Sequence, residues 1–487
     1  MRLKLIAPCL ATLLWLCSNA SADVTNLPEL GDSSSSLVSN REEQQLGQIW
    51  LQMFRSQAPI VTDPLLQDYL EHAVYDLASH SELETPQLSL VIIDNKSINA
   101  FAVPGGVIGV NNGLLLQAPF EDEFDSVIAH ELAHLSQRHF ARSLEAAKRQ
   151  QIPAMAGLLA GVILAATASP DAGMAAIAAT QAASLQSQLS YSRQHEQEAD
   201  RIGMQTLYQS GRDPYAFARM FETMQRSSRF SGARPPEFLL THPITESRIA
   251  DARSRAAQLR GRMVGIMPVV ENNEYQLMRA RVRLHFSENP SQAVRDFRAL
   301  IAAPGGNDSA NQYGLALALF SAGLPADADQ ALAPLMAAEP NRIAYNLLQA
   351  QLDDALGKPI LARERLAEQL ALNPGNHPLI MGYSQLLQQQ GLFEEALVLL
   401  RAHSYQRPND PSIWYQLAEL YGLTQHIMAL HQARAEYFIL NGYLDDADKQ
   451  LLYALRLSGN DYMANAVIQQ RQRDVAMMRQ TIKSMGF

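Results

Sequence analysis

The residues best placed to do chemistry stand at His130-Glu131-Leu132-Ala133-His134, inside the helical stretch VIAHELAHLSQRHF. Two residues four apart on a helix differ by only about 40° around its axis, so both imidazoles leave one face. Two nitrogens so placed can share one metal ion, and Glu131 between them reaches toward a water held there. Val127, Ile128 and Leu135 flank the motif and predict a core helix, as an active-site helix must be. A catalytic zinc needs a third protein ligand and an open position. The segment His195-Glu196-Gln197-Glu198-Ala199-Asp200-Arg201-Ile202-Gly203 offers three competitors, His195, Glu196 and Glu198. Glu196 and Asp200 share a helix face, while Ala199 and Gly203 leave room for close helix packing. With Glu196 as ligand, Asp200 stands ready to orient a zinc histidine from behind. His195 and Glu198 fall on other faces and are expected to be solvated.

These groups need elements to hold them. Apolar residues at helical spacing run from Leu65 to Leu77, and Leu88–Ile93 (LSLVII) reads as a strand. Ala100–Val110 (AFAVPGGVIGV) reads as a glycine-interrupted hairpin or sheet edge, and helical text resumes at Phe124. The first half, residues 41–262, is therefore α+β, with helix predominating.

Residues 272–487 read as almost purely helical and repetitive. Gly323, Gly357 and Gly391 are 34 apart, as are Pro340, Pro374 and Pro408, and Ala328, Ala362 and Ala396. That period, with Trp414-x-x-Leu417-Ala418-x-x-Tyr421, is the tetratricopeptide signature, an all-α solenoid whose concave surface takes protein segments. Asn289 and Gly306 suggest a weaker upstream unit. The register looks broken after Gly391, because the next matching glycine is Gly442, 51 residues on. An odd helix or displaced pair is expected near Thr424–Leu440, followed by a capping helix.

Length and charge exclude several classes. The chain has 487 residues, 47% hydrophobic and 18% charged, which is ordinary globular material for two or more domains. A net charge of -10 makes a wholesale phosphate-binding surface, and so a nucleic-acid partner, unexpected. Arg2 and Lys4, the apolar run Leu5–Cys17 and Ala20-Ser21-Ala22 form a secretory signal over residues 1–22, cleaved after Ala22. Both cysteines, Cys9 and Cys17, leave with it. Export to the periplasm follows, with residues 23–40 as a linker containing GDSSSSLVS. Between the two parts of the metal motif, residues 152–192 are Ala-rich and nearly free of charge. They are expected to form a helical hairpin or lid, with peripheral membrane contact rather than a span, since Pro153, Gly157 and Gly161 weaken insertion.

HELAH, the Glu196-x-x-Ala199-Asp200 segment and His242-Pro243 with Arg248 resemble the M48 peptidase family. So does Asn99-Ala100-Phe101-Ala102 running to Pro104-Gly105-Gly106. With the leader and the repeat tail, the whole resembles the periplasmic, repeat-bearing members of that family. The resemblance implies a gluzincin-type site with one zinc ion, His130, His134 and Glu196 as ligands and Glu131 as general base. It implies a substrate edge at Asn99, Ala100, Phe101 and Ala102. It also implies work on unfolded or misassembled outer-membrane proteins, with the repeat domain engaging the β-barrel assembly machinery. His242 lies in a loop before a helix, where Pro243 suits the first turn and Thr241 can cap it. In such a site His242 either stabilises the oxyanion or takes the fourth zinc position and holds the enzyme off. The alternative to an endopeptidase is a chaperone or adaptor scaffold whose zinc site is latent.

Overall fold

The computed structural model describes residues 39–84, 87–143, 193–230, 237–261, 272–306 and 308–484. The expected leader, nearly all of the linker, the 152–192 insertion and the junction at 262–271 lie outside the described residues.

The first half opens with α1 (Asn40–Arg55), started by a capping box in which Ser39 and Glu42 satisfy each other's backbone amides. Asp63 caps α2 (Pro64–Ser79), with proline in the first turn, where a missing N–H costs nothing. Three short strands follow: β1 (Ser89–Ile93), β2 (Ala100–Val103) and β3 (Val107–Asn111). Their order is β1-β3-β2, with β1 parallel and β2 antiparallel to β3. The expected hairpin is thus β2–β3, turned at Gly105 and Gly106, whose φ of 82° and 80° suit glycine. Side chains on the two sheet faces enter two cores. Trp50, Phe54, Phe101 and Val107 pack on the α1 side. Ala100, Ile108 and Val110 join Leu70, Phe124 and Ile128 on the other.

After the short α3 (Gly113–Gln117) comes α4 (Glu121–Ser136), which carries HELAH. Three acidic residues in its first turn complement the helix dipole, and it is buried from Glu123 to His134. The first half continues with α5 (Arg193–Gln209), α6 (Tyr215–Phe230), α7 (Glu237–Thr241) and α8 (Glu246–Arg260). Thr245, not Thr241, caps α8 by accepting from the Arg248 amide, while Thr241 closes α7. The chain needs the extra residues of the His242-Pro243-Ile244 link before α8 can start.

Among the described residues, six successive helix pairs form the second half: α9 (Asn273–His285) with α10 (Pro290–Ala302), α11 (Ser309–Ser321) with α12 (Pro325–Ala338), and α13 (Ile343–Ala355) with α14 (Pro359–Leu372). Then come α15 (His377–Gln389) with α16 (Phe393–Ser404), α17 (Pro411–Leu423) with α18 (Ile427–Leu440), and α19 (Leu444–Leu457) with α20 (Tyr462–Ser484). The expected odd helix is absent among the described residues. Gly323, Gly357 and Gly391, which link their pairs at φ of 75°, 77° and 78°, are continued 34 residues later by Gln425 at φ 60°. The hydrogen bonds repeat too: Gly323 and Leu324 donate to Phe320 and Leu319, and Gln425 and His426 to Gly422 and Tyr421. Conformation keeps the period where residue identity drops it. Gly442, at φ 75°, makes the same kind of turn between α18 and α19, and a Cβ there would also meet the Gln52 carbonyl of α1 at 2.5 Å.

The halves share a core. Tyr275 of α9 is fully buried and donates to the Ala118 carbonyl, and Arg279 donates to Leu115. Further out, Arg281 holds Asp63 at 2.6 Å and Arg407 holds Glu71 at 2.6 Å. No helix among the described residues is long and apolar enough to cross a membrane.

Candidate metal centre

Helix α4 brings His130, Glu131 and His134 together, and α5 crosses it closely. The crossing depends on Gly203: a Cβ there would sit 2.9 Å from the Ala129 carbonyl and 3.0 Å from the His130 amide nitrogen. That approach delivers Glu196 and Asp200, both on the buried face of α5, to the two histidines. His242 enters from the α7–α8 link and packs its ring on Phe238 at 4.7 Å.

Donor atoms of His130, His134, Glu196 and His242 all lie within 4.8 Å of one another, and all four residues are buried. His130 Nε2 is 3.0 Å from His134 Nε2 and 3.4 Å from His242 Nδ1. Glu196 Oε1 is 3.0 Å from His242 Nδ1 and 3.6 Å from His134 Nε2, and its Oε2 is 3.6 Å from His130 Nε2. A tetrahedral zinc site with bonds of about 2.0–2.1 Å has donors about 3.3 Å apart along its edges. The observed edges bracket that length, and three nitrogens with one carboxylate suit zinc. Glu131, 1% exposed, has an Oε1 without a hydrogen-bond partner among the described residues. A buried carboxylate oxygen left so fits a water or substrate group at the centre.

Behind this centre stands a charge network. Asp200 Oδ1 is 3.0 Å from His130 Nδ1. Arg248 donates to Asp200 from Nε and Nη2, both at 2.7 Å, pairs with Glu196 Oε2 at 2.9 Å and donates to the Pro243 carbonyl at 2.8 Å. One guanidinium therefore ties α5 to the link that carries His242. Burial pushes the Glu196 carboxyl up, but His242, His130 and Arg248 outweigh it and hold it below its ordinary range. Burial pushes Glu131 up despite its neighbouring histidines and its bond from the Ala102 amide. Burial lowers His242, yet Glu196 and Glu131 together raise it above its ordinary value.

Of the residues expected along the substrate edge, Ala100, Phe101 and Ala102 form β2, and Asn99 precedes it. The Phe101 side chain turns away, stacked edge-on to Trp50 at 5.6 Å and Phe54 at 5.7 Å. The Ala102 backbone amide reaches the centre by donating to the Glu131 carboxylate. Glu198 and His195 are not simply solvated: Glu198 is 3.2 Å from His139 Nε2 and 3.0 Å from Arg142, and the His195 ring stacks on His139 at 4.4 Å. His139, fully buried, escaped the reading of the motif. Its signal was the histidine five residues beyond His134.

The Peptidase family M48 profile matches residues 64–256, and a tetratricopeptide repeat profile matches residues 355–420. The Beta-barrel assembly-enhancing protease of Escherichia coli strain K12 is 37% identical over 432 residues, covering 88% of this chain and 86% of that protein. A Putative beta-barrel assembly-enhancing protease of Vibrio cholerae is 32% identical over 420 residues, 86% of this chain and 84% of its own. The Mitochondrial metalloendopeptidase OMA1 of Schizosaccharomyces pombe is 28% identical over 192 residues, 37% of this chain and 50% of that one. With a family profile over the metal-motif half and a relative this similar along nearly the whole length, this chain belongs to peptidase family M48, its metalloprotease half joined to a tetratricopeptide array.

Proposed function

We propose that this chain is a periplasmic zinc endopeptidase that cleaves misassembled outer-membrane β-barrel proteins, its array engaging the assembly machinery and unfolded substrates. The observation that carries the metal assignment is the cluster of four buried donors, His130, His134, Glu196 and His242, whose ligand atoms lie within 4.8 Å of one another. The named relatives along the chain, the leader signal and the repeat array support substrate, compartment and partners.

In this reading His130, His134 and Glu196 hold the ion, and Asp200 orients His130 through Nδ1. The chemistry that bound zinc supplies is polarisation of the scissile carbonyl and acidification of a water. Glu131 takes the proton of the attacking water and returns it to the leaving amine. Its raised affinity for a proton suits that shuttle. The β2 backbone pairs with an extended peptide, which leaves sequence preference loose. Of the two roles for His242, the fourth-ligand role fits better, because Nδ1 lies at tetrahedral spacing from both His130 and Glu196.

The test compares the zinc-loaded protein with Glu131→Gln on casein and on a misassembled barrel protein. Loss of a general base predicts a rate lower by about 10²–10⁴-fold, with zinc content unchanged. Equal cleavage by both proteins would sink the mechanism. His242→Ala is expected to cleave faster, since it frees the fourth position. A slower variant would favour the oxyanion role, and an unchanged one would remove both.

A further inference from the structure

We infer that His139 is a positioning residue that holds His134 in its metal-binding tautomer, with Glu198 and Arg142 completing the relay behind it. The inference rests on the metal centre proposed above. His130 and His134 both turn Nε2 toward that centre, so each must carry its proton on Nδ1 and needs an acceptor there. For His130 the acceptor is the Asp200 carboxylate at 3.0 Å. For His134 it is another imidazole: His139 Nδ1 lies 2.8 Å from His134 Nδ1.

Two facing ring nitrogens can share only one proton. Once His134 Nδ1 donates, His139 Nδ1 must accept, so its remaining proton sits on Nε2. That nitrogen is 3.2 Å from Glu198 Oε2, an oxygen that also accepts from Arg142 at 3.0 Å. Each donor then has an acceptor, and a single tautomer satisfies the whole line from metal centre to surface. The His195 ring lies over His139 at 4.4 Å and 14°, which fixes the plane of the relay imidazole.

Backbone geometry is built for this contact. Five residues along a continuous helix turn about 140° too far for the two rings to meet. Helix α4 instead stops at Ser136, and Arg138 takes a left-handed φ of 48° before His139. Arg138 is itself held by Glu43 of α1 at 3.1 Å. The turn swings His139 back beneath His134 while leaving it fully buried.

The test measures zinc affinity of the full chain by competition with a chelator, beside the melting temperature of the metal-free protein. His139→Phe keeps a ring in the space but removes the acceptor, and zinc is expected to bind about 10–100-fold more weakly. His139→Asn places a side-chain carbonyl near the lost Nδ1 and is expected to recover most of that loss. Zinc binding by His139→Phe as tight as the parent's would overturn the inference. So would equal weakening in both variants with a matching fall in metal-free melting temperature, which would mark His139 as packing. A parent that binds no zinc would overturn the proposed metal centre, and this relay with it.

Discussion

The glycines of three array links and the glycine at the α4–α5 crossing serve opposite ends. In the array, the linking residues Gly323, Gly357 and Gly391 have positive φ, and a Cβ at any of them would meet nothing within 4 Å. They are there for a backbone conformation. In the protease half, Gly203 lies in regular helix and is there for nearness, since its missing Cβ lets α5 touch the backbone of α4. The same contrast runs through the architecture. Array helices pack on sequence neighbours, so local period builds them. The metal centre gathers donors as far apart in sequence as His130 and His242, 112 positions, and depends on crossings that no local rule writes.

The largest effect is expected from Gly203→Ala. The added methyl must push α5 off α4, moving Glu196 and Asp200 away from the two histidines. Overpacking of this kind costs about 1–3 kcal/mol. A misplacement near 1 Å in a catalytic constellation costs about 10²-fold in rate. Thermal unfolding and cleavage assays together check it. Full activity in Gly203→Ala would show that the crossing can relax, and that nearness is not what the glycine supplies.

The seam between the halves tests a second difference, response to acid. His377 of α15 is buried, with Nδ1 3.0 Å from His403 and Arg407 close by. Burial first, then Arg407 and His403, drive its pKa from 6.5 down to about 3. The unfolded chain therefore binds the extra proton between those values, and stability falls as pH drops through that window. The slope attributable to one such group is at most about 1.4 kcal/mol per pH unit. His377→Gln is expected to flatten the acid limb of melting temperature against pH relative to the parent. A parent and variant with parallel acid limbs would place the titration elsewhere.

How much of this was legible in the sequence follows the same division. The i,i+4 pairs His130–His134 and Glu196–Asp200 announced helix faces, and the 34-residue period announced the array, because both signals are local. The hairpin at Ala100–Val110 was legible from its glycines. Illegible were contacts that pass through an irregular backbone. Arg138 makes a left-handed turn in a residue type that rarely takes one, so His139 read as another helix position. Glu198 read as solvated because its partner comes from that turn. Gln425 concealed the fifth array unit for the same reason: its conformation belongs to glycine and its side chain does not.

The array links give the smallest and cleanest effects. Gly323→Ala places a Cβ at φ 75° with open space around it, so only the left-handed backbone is penalised, at about 1 kcal/mol. Cleavage should be unchanged. Gln425→Gly runs the experiment backwards. Gln425 is exposed, holds φ 60° and keeps the hydrogen bonds of the glycine links, so its side chain contributes strain and little packing. Replacing it relieves about 1–2 kcal/mol of left-handed strain. The extra freedom of glycine in the unfolded chain takes back about 0.5–1 kcal/mol. A net gain of about half a kcal/mol or slightly more is expected in denaturant unfolding. A loss of stability in Gln425→Gly would mean that the glutamine side chain helps hold the two helices of the fifth unit together, and that the array, too, depends on more than its period.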